Sequence, residues 1–179
     1  YSRVTMLMGM TPWEHEYKIM GLAPYADPQL AQKAGEPLSR LLGLRKDGLG
    51  FEQVGDLSTN YSYYYLRDAF ERVRFDVIAG AVQAYTEEML VGLIKACIRH
   101  TGIPDVVLSG GVFMNVKANM LISQLEDVRE VYVLPSCADE SLAMGACLFR
   151  YYEKTGDPEH EQSILKDLYL GDAYTREEE

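Results

Sequence analysis

The sequence predicts an α/β fold with a mixed sheet flanked by helices, and three observations carry that prediction. Residues 73–155 alternate helical and extended patterns in the order helix, strand, helix, strand, helix. That order is the signature of strands joined by right-handed helical crossovers. Val106-Val107-Leu108 is a short β-branched and apolar run that suits a parallel strand covered on both faces, and Glu130-Val131-Tyr132-Val133-Leu134-Pro135 is a second short strand. Each run ends in a loop that could seat a ligand: Ser109-Gly110-Gly111 after the first, Ser136-Cys137-Ala138-Asp139-Glu140-Ser141 after the second. Ligands in such sheets sit at the carboxyl ends of strands, so Gly110-Gly111 and Asp139 are expected at one common cleft.

The elements are justified in chain order. Residues 1–11 mix Val4, Met6, Leu7 and Met8 with Gly9 and read as a strand leading into a turn. A short helix is expected from about Pro12, since proline suits a first helical turn, with Gly21 and Pro24 as stop signals. Leu30 to Leu42 has helical spacing and ends at Gly43. Asp47-Gly48 and Gly50 punctuate a turn, with Phe51 and Val54 beyond it as the far side of a hairpin. Residues 26–72 are the least regular section. Their Tyr61, Tyr63, Tyr64 and Tyr65 form an aromatic cluster, either core and subunit-contact surface or a platform on which a ring stacks.

A long helix follows from about Arg74 to His100. Phe75, Ile78, Val82, Tyr85, Met89, Leu93 and Cys97 recur at steps of three and four, with Gln83 and Glu87 together on another face. Gly102 is a left-handed stop, and Arg99 and His100 complement the helix dipole. Beyond the glycine pair a helix runs through Ala118, Leu121, Ile122 and Leu125. The last helix spans Leu142 to about Lys154, where Ala143, Gly145 and Ala146 make a small face open to close approach. The chain divides into residues 1–28 (opening strand and KIMGLAPY motif), 29–72 (insertion or lid), 73–155 (the α/β core) and 156–179 (an exit segment).

Composition narrows the function. Nearly half the residues are apolar and a quarter charged, as in soluble globular proteins. A formal net charge of -10 argues against non-specific binding to nucleic acid or anionic membrane, and no apolar run reaches a membrane span. The chain opens on Tyr1 rather than Met and is expected to be a piece of a longer protein. Cys97, Cys137 and Cys147 make no disulfide framework, so a reducing cytoplasm is expected. Cys97 and Cys147 are read as buried thiols, and Cys137, beside a charged loop, as the one accessible thiol.

Several residues carry two readings each. Gly110-Gly111 is a tight turn that packs a helix closely on a sheet, or a phosphate seat whose bare backbone faces the free N–H groups of the next helix. Lys18 is a solvated partner of Glu14 at i,i+4 spacing, or a cleft cation for a phosphate or carboxyl group. Asp139 is a helix N-cap, or an anchor for a hard cation. The histidines at 15, 100 and 160 make no metal-ligand pair, and His15 and His100 read as surface side chains.

Three motifs in order then resemble one family. Glu16-Tyr17-Lys18-Ile19-Met20-Gly21-Leu22-Ala23-Pro24-Tyr25 resembles the EYKVMGLAPYG stretch of the O-carbamoyltransferases of nodulation-factor and antibiotic biosynthesis. Ser109-Gly110-Gly111-Val112-Phe113-Met114-Asn115 through Asn119 resembles that family's AGGVALN loop, and Pro135 to Ala146 its P…GDxGxAxGAA segment. Leu168-Tyr169-Leu170-Gly171 is similar to its LGP exit. The resemblance implies the C-terminal lobe of an actin-like ATPase fold. It implies transfer of a carbamoyl group from carbamoyl phosphate, by way of a carbamoyl adenylate made from ATP, to a hydroxyl of a small-molecule acceptor. It implies that Gly110, Gly111 and Asn115 contact the nucleotide, that Asp139 ligates a divalent metal (Fe²⁺ before Mg²⁺), and that Lys18 is a cleft cation in the catalytic set. It also implies partners outside this chain: a half bearing histidine ligands and an adenylate-forming domain. Separately from the resemblance, the tyrosine cluster is a candidate contact surface for a second copy.

The family's glycine before the aspartate is Ala138 here, and the glycine two residues after it is Ser141. These departures lend weight to a silent binding module on the same scaffold. An actin-like sugar or acid kinase is the competing enzyme, told apart by a phosphorylated rather than carbamoylated product.

Overall fold

A computed structural model describes residues 1–156, and the chain is α/β. The exit motif and His160 lie outside the described residues. The described chain forms two compact units, one of Tyr1–Val107 with Asn115–Tyr132, the other of Leu108–Met114 with the chain from Val133 onward.

The first unit is built on helix α6, Phe75–Thr101, the sixth helix in chain order. Its limits follow the sequence: Arg74 is the N-cap, and Gly102 ends it at φ +72° with its N–H on the Ile98 carbonyl at 2.8 Å. Every residue from Val77 to Gln83 is buried, so this part of α6 is enclosed on all sides rather than along one stripe. Its neighbours are α2 (Glu16–Leu22), the 3₁₀ turn Ala23–Tyr25, α3 (Pro28–Ala34) and α7 (Val116–Ser123). Gly80 allows the closest approach: a Cβ there would lie 2.6 Å from the Ala26 Cβ and 3.0 Å from the Ala31 Cβ. Asp27 starts α3, accepting the N–H groups of Gln29 and Leu30.

Four expectations change here. The strand expected over residues 1–11 is a helix, α1 (Ser2–Leu7). Val4 and Thr5 are buried with Tyr1 and Met8 beside them, a three-and-four spacing that outweighs the β-branched content. The expected helix from Pro12 begins only at Glu16, and Gly21 lies inside it rather than stopping it. The single helix expected from Leu30 to Leu42 is two short ones, α3 and α4 (Glu36–Ser39), which meet at Gly35. The insertion or lid over 29–72 is not peripheral: Leu38, Leu41, Leu66 and Phe70 share one buried cluster with Val4, Ile19, Ile78, Ala79 and Val82. Within this section α5 (Tyr63–Ala69) packs on α1. The expected hairpin is present, with β1 (Leu42–Leu44) antiparallel to β2 (Phe51–Gln53) and Leu44 opposite Phe51.

Strands β3 (Asp105–Leu108) and β4 (Glu130–Val133) form a separate two-stranded sheet. Arg129 N–H bonds the Pro104 carbonyl and Leu134 N–H the Leu108 carbonyl, an advance in the same direction along both strands that marks parallel pairing. Val107 is 73% exposed, so β3 is not covered on both faces as the sequence suggested. In the second unit the chain passes from Leu108 through the glycine pair into a 3₁₀ turn, Gly111–Met114. Its main element is α8 (Ser141–Thr155), which ends at Gly156 with φ +67°. Only Ser141 in α8 is buried.

Candidate functional site

In the second unit the two loops expected to face a ligand are joined. The Gly110 N–H donates to the Cys137 carbonyl at 2.7 Å, and the Ser109 and Ser141 hydroxyls are 3.4 Å apart. Gly110 has φ +110°, a conformation that L side chains rarely adopt. A Cβ on either Gly110 or Gly111 would meet nothing within 4 Å, so the backbone there is open. The Gly111 N–H makes no bond to a backbone carbonyl among the described residues. On the other loop Ser136 takes φ +55°, and its hydroxyl donates to the Glu140 carboxylate, which that bond holds below the usual glutamate range. Such left-handed non-glycine positions concentrate at functional sites.

Asp139 is exposed and is not the N-cap of α8; that position belongs to Glu140. Among the described residues its carboxylate has no hydrogen-bond or ion-pair partner, and its carbonyl accepts the Leu142 N–H at 3.1 Å. Beside this loop a mainly apolar hollow of 520 Å³ is lined by Ser109, Leu134, Ser141, Leu142 and Phe149, among others. Cys137 is buried rather than accessible, and Cys147, read as buried, is exposed.

Asn115 and Lys18 belong to the first unit. The 3₁₀ turn Gly111–Met114 intervenes in the chain between Gly110 and α7, so Asn115 rather than Gly111 caps that helix. Its Oδ1 accepts the Ala118 N–H at 3.1 Å. The same oxygen accepts Gln83 Nε2 at 3.0 Å, while Asn115 Nδ2 donates to Gln83 Oε1 at 2.9 Å. Gln83 is 4% exposed. It also donates Nε2 to Glu87 at 2.8 Å and accepts the Tyr1 hydroxyl at Oε1. Burial, then the nearby Glu87 carboxylate, push the Tyr1 phenol pKa up, so the phenol stays a donor. The sequence set Gln83 beside Glu87 but gave it no role. A polar side chain inside the run Ala79-Gly80-Ala81-Val82-Gln83-Ala84 was the available signal.

Gln83, Glu87, Glu88 and Lys117 also form part of the wall of a 690 Å³ cavity, whose remaining wall includes Ala23, Pro24 and Ala31. A volume of that order suits a small molecule. Lys18 is exposed. Its Nζ lies 5.7 Å from the centre of the Tyr17 ring rather than on Glu14. His15 accepts the Thr11 N–H at Nδ1, 3.1 Å.

A divalent metal needs several donors. Among the described residues no three His, Cys, Asp or Glu side chains gather closely enough to hold an ion, so these residues do not by themselves fit a resident metal. Asp139 offers one oxygen donor set and no more.

Comparison with known proteins bears on the same stretches. Residues 1–148 match the family model described as carbamoyltransferase N-terminus. Nodulation protein NolO of Bradyrhizobium diazoefficiens is 30% identical over 159 residues, which cover 87% of this chain and 28% of that protein. Nodulation protein NolNO of Sinorhizobium fredii is 28% identical, over 87% of this chain and 23% of its own length. Protein MJ1058 of Methanocaldococcus jannaschii is 28% identical over 99% of this chain and 29% of its own length. The chain thus spans less than a third of these relatives.

Proposed function

The chain belongs to the carbamoyltransferase N-terminus family, and from that premise we propose that it is a lobe, actin-like in fold, of an ATP-linked carbamoyltransferase. The reaction moves a carbamoyl group from carbamoyl phosphate to a hydroxyl through carbamoyl adenylate: carbamoyl phosphate loses inorganic phosphate to water, and the resulting carbamate oxygen attacks the α-phosphorus of ATP as pyrophosphate leaves. In the last step the acceptor oxygen attacks the carbamoyl carbon, the bond to AMP breaks, and the hydroxyl proton is lost.

The observation that carries this reading is the 2.7 Å bond from Gly110 N–H to the Cys137 carbonyl. It holds the glycine turn against the loop of Asp139, as a carboxyl-end site requires. The open Gly111 N–H is a donor for a phosphate or carbonyl oxygen. Asp139 is proposed as one ligand of a divalent metal, the others coming from a histidine-bearing half that this chain does not supply. Asn115 supplies a single N–H to a nucleotide. In the first unit the cavity wall of Gln83, Glu87, Glu88 and Lys117 offers donors and acceptors suited to a hydroxyl-bearing acceptor.

The test uses the intact protein that carries this chain, with carbamoyl phosphate, ATP, Fe²⁺ or Mg²⁺ and a panel of polyhydroxylated acceptors. The expected products are inorganic phosphate, pyrophosphate, AMP and a carbamoylated acceptor. Asp139→Ala is expected to lower the rate about a hundredfold or more, with a weaker response to added metal. A phosphorylated acceptor and ADP would identify a kinase instead. Failure to bind either ATP or metal by calorimetry would identify a silent module.

A further inference from the structure

The hydrogen-bond cluster around the buried Gln83 of the first unit has a direction, and one end fixes it. A carboxylate can only accept, so the Gln83 atom that faces Glu87 at 2.8 Å is the amide nitrogen. The Gln83 oxygen therefore takes the Tyr1 hydroxyl and Asn115 Nδ2. The second Nε2 hydrogen goes to Asn115 Oδ1. All four hydrogen-bonding positions of Gln83 are filled. On Asn115 both oxygen lone pairs are filled, by Gln83 and by Ala118 N–H. Turning the Asn115 amide over would set its NH₂ against two donors in a place where Gln83 is 4% exposed, and buried donors without acceptors are costly.

We propose that Gln83 is a positioning residue that sets the polarity of the Asn115 amide, so that Asn115 meets its ligand only as a hydrogen-bond donor. The ligand atom it faces is then an acceptor, such as a ring nitrogen, a carbonyl or a phosphate oxygen. The same bonds hold the first turn of α7 in place. The inference rests on the reading of Asn115 as a nucleotide contact.

The test measures steady-state kinetics of the intact protein and amide hydrogen exchange without ligand. Gln83→Met keeps length and burial but removes all four bonds. It is expected to raise KM for ATP about tenfold while kcat changes less than about threefold. Asn115→Asp keeps the acceptor that caps α7 and removes the donor, and is expected to raise KM similarly. The double variant is expected to be no worse than Asn115→Asp alone, because the two residues act as one unit. A wild-type KM for ATP in Gln83→Met, or losses that add in the double variant, overturns the proposal. Should Gln83→Met not fold, Glu87→Gln keeps the shape and removes the acceptor-only end. It is then expected to raise KM about twofold to threefold, and an unchanged KM overturns the proposal. The outcome is separable from the proposed activity. If the wild-type protein carbamoylates nothing, the Ala118 N–H must still exchange faster in Gln83→Met or Glu87→Gln than in wild type, and equal exchange overturns the positioning role.

Discussion

Glu16 shows how much a single side chain holds. Its carboxylate accepts the Trp13 N–H at 2.8 Å, and its own N–H and the nearby Ser2 and Thr5 hydroxyls add to the field that favours the charged form. Burial alone would raise its pKa; these bonds outweigh burial and leave it below its ordinary 4.5. Trp13 sits at φ +66° and is 82% exposed, so that bond secures a bulky residue in a left-handed conformation. A depressed folded pKa contributes stability that is complete above 4.5 and is lost as pH falls through the folded value. Glu16→Gln should therefore lower stability by about 1 kcal/mol at pH 7. The gap to wild type should close as urea unfolding is repeated at pH values progressively below 4.5. At this scale the sequence was readable where chemistry is local. Gly102 as a left-handed stop and Gln83 beside Glu87 both hold. Lys18 was paired with Glu14 by spacing alone, but its Nζ lies over the Tyr17 ring, because helical spacing brings two side chains within reach without making them meet.

Two glycines of α6 should respond in opposite ways to the same methyl group. At Gly80 an added Cβ meets the Ala26 and Ala31 Cβ atoms, which are fixed to their backbones. Gly80→Ala should destabilise by about 1–3 kcal/mol as overpacking, despite the better helix propensity of alanine. At Gly92 the nearest atom is the Leu44 Cδ1 at 2.5 Å, the far end of a half-buried side chain that can turn aside. Gly92→Ala should be neutral or stabilising by up to about 1 kcal/mol. Urea midpoints of the two variants, measured side by side, check both signs. The long helix was legible because twenty-seven residues of α6 repeat one period between clear signals. The first helix was not. Six residues admit either period, and only burial against α5 and α2 decides for α1. Residues 29–72 read as a lid because their helices are short. Their place in the core depends on four apolar side chains far apart in sequence, a contact that no local pattern records.

For the molecule as a whole, sequence and structure agree on an α/β chain. The single mixed sheet was not legible in detail: the strands lie in two separate pairs, β1 with β2 and β3 with β4. The 179-residue chain by itself should show no carbamoyl transfer, since among the described residues no three His, Cys, Asp or Glu side chains gather to hold an ion. Radiolabelled carbamoyl phosphate incubated with the chain, ATP and Fe²⁺ should leave every acceptor unlabelled, and labelled product would show the lobe to be self-sufficient. The departures at Ala138 and Ser141 fall in the loop that is tied to the glycine turn. The tie between glycine turn and aspartate loop runs from the Gly110 amide to the Cys137 carbonyl, and Ser141 adds a hydroxyl 3.4 Å from that of Ser109. The main-chain bond of that clasp does not itself depend on which side chains flank it. Substitution beside Asp139 can therefore change the side chains this loop presents while the main-chain seam to the glycine turn stays shut.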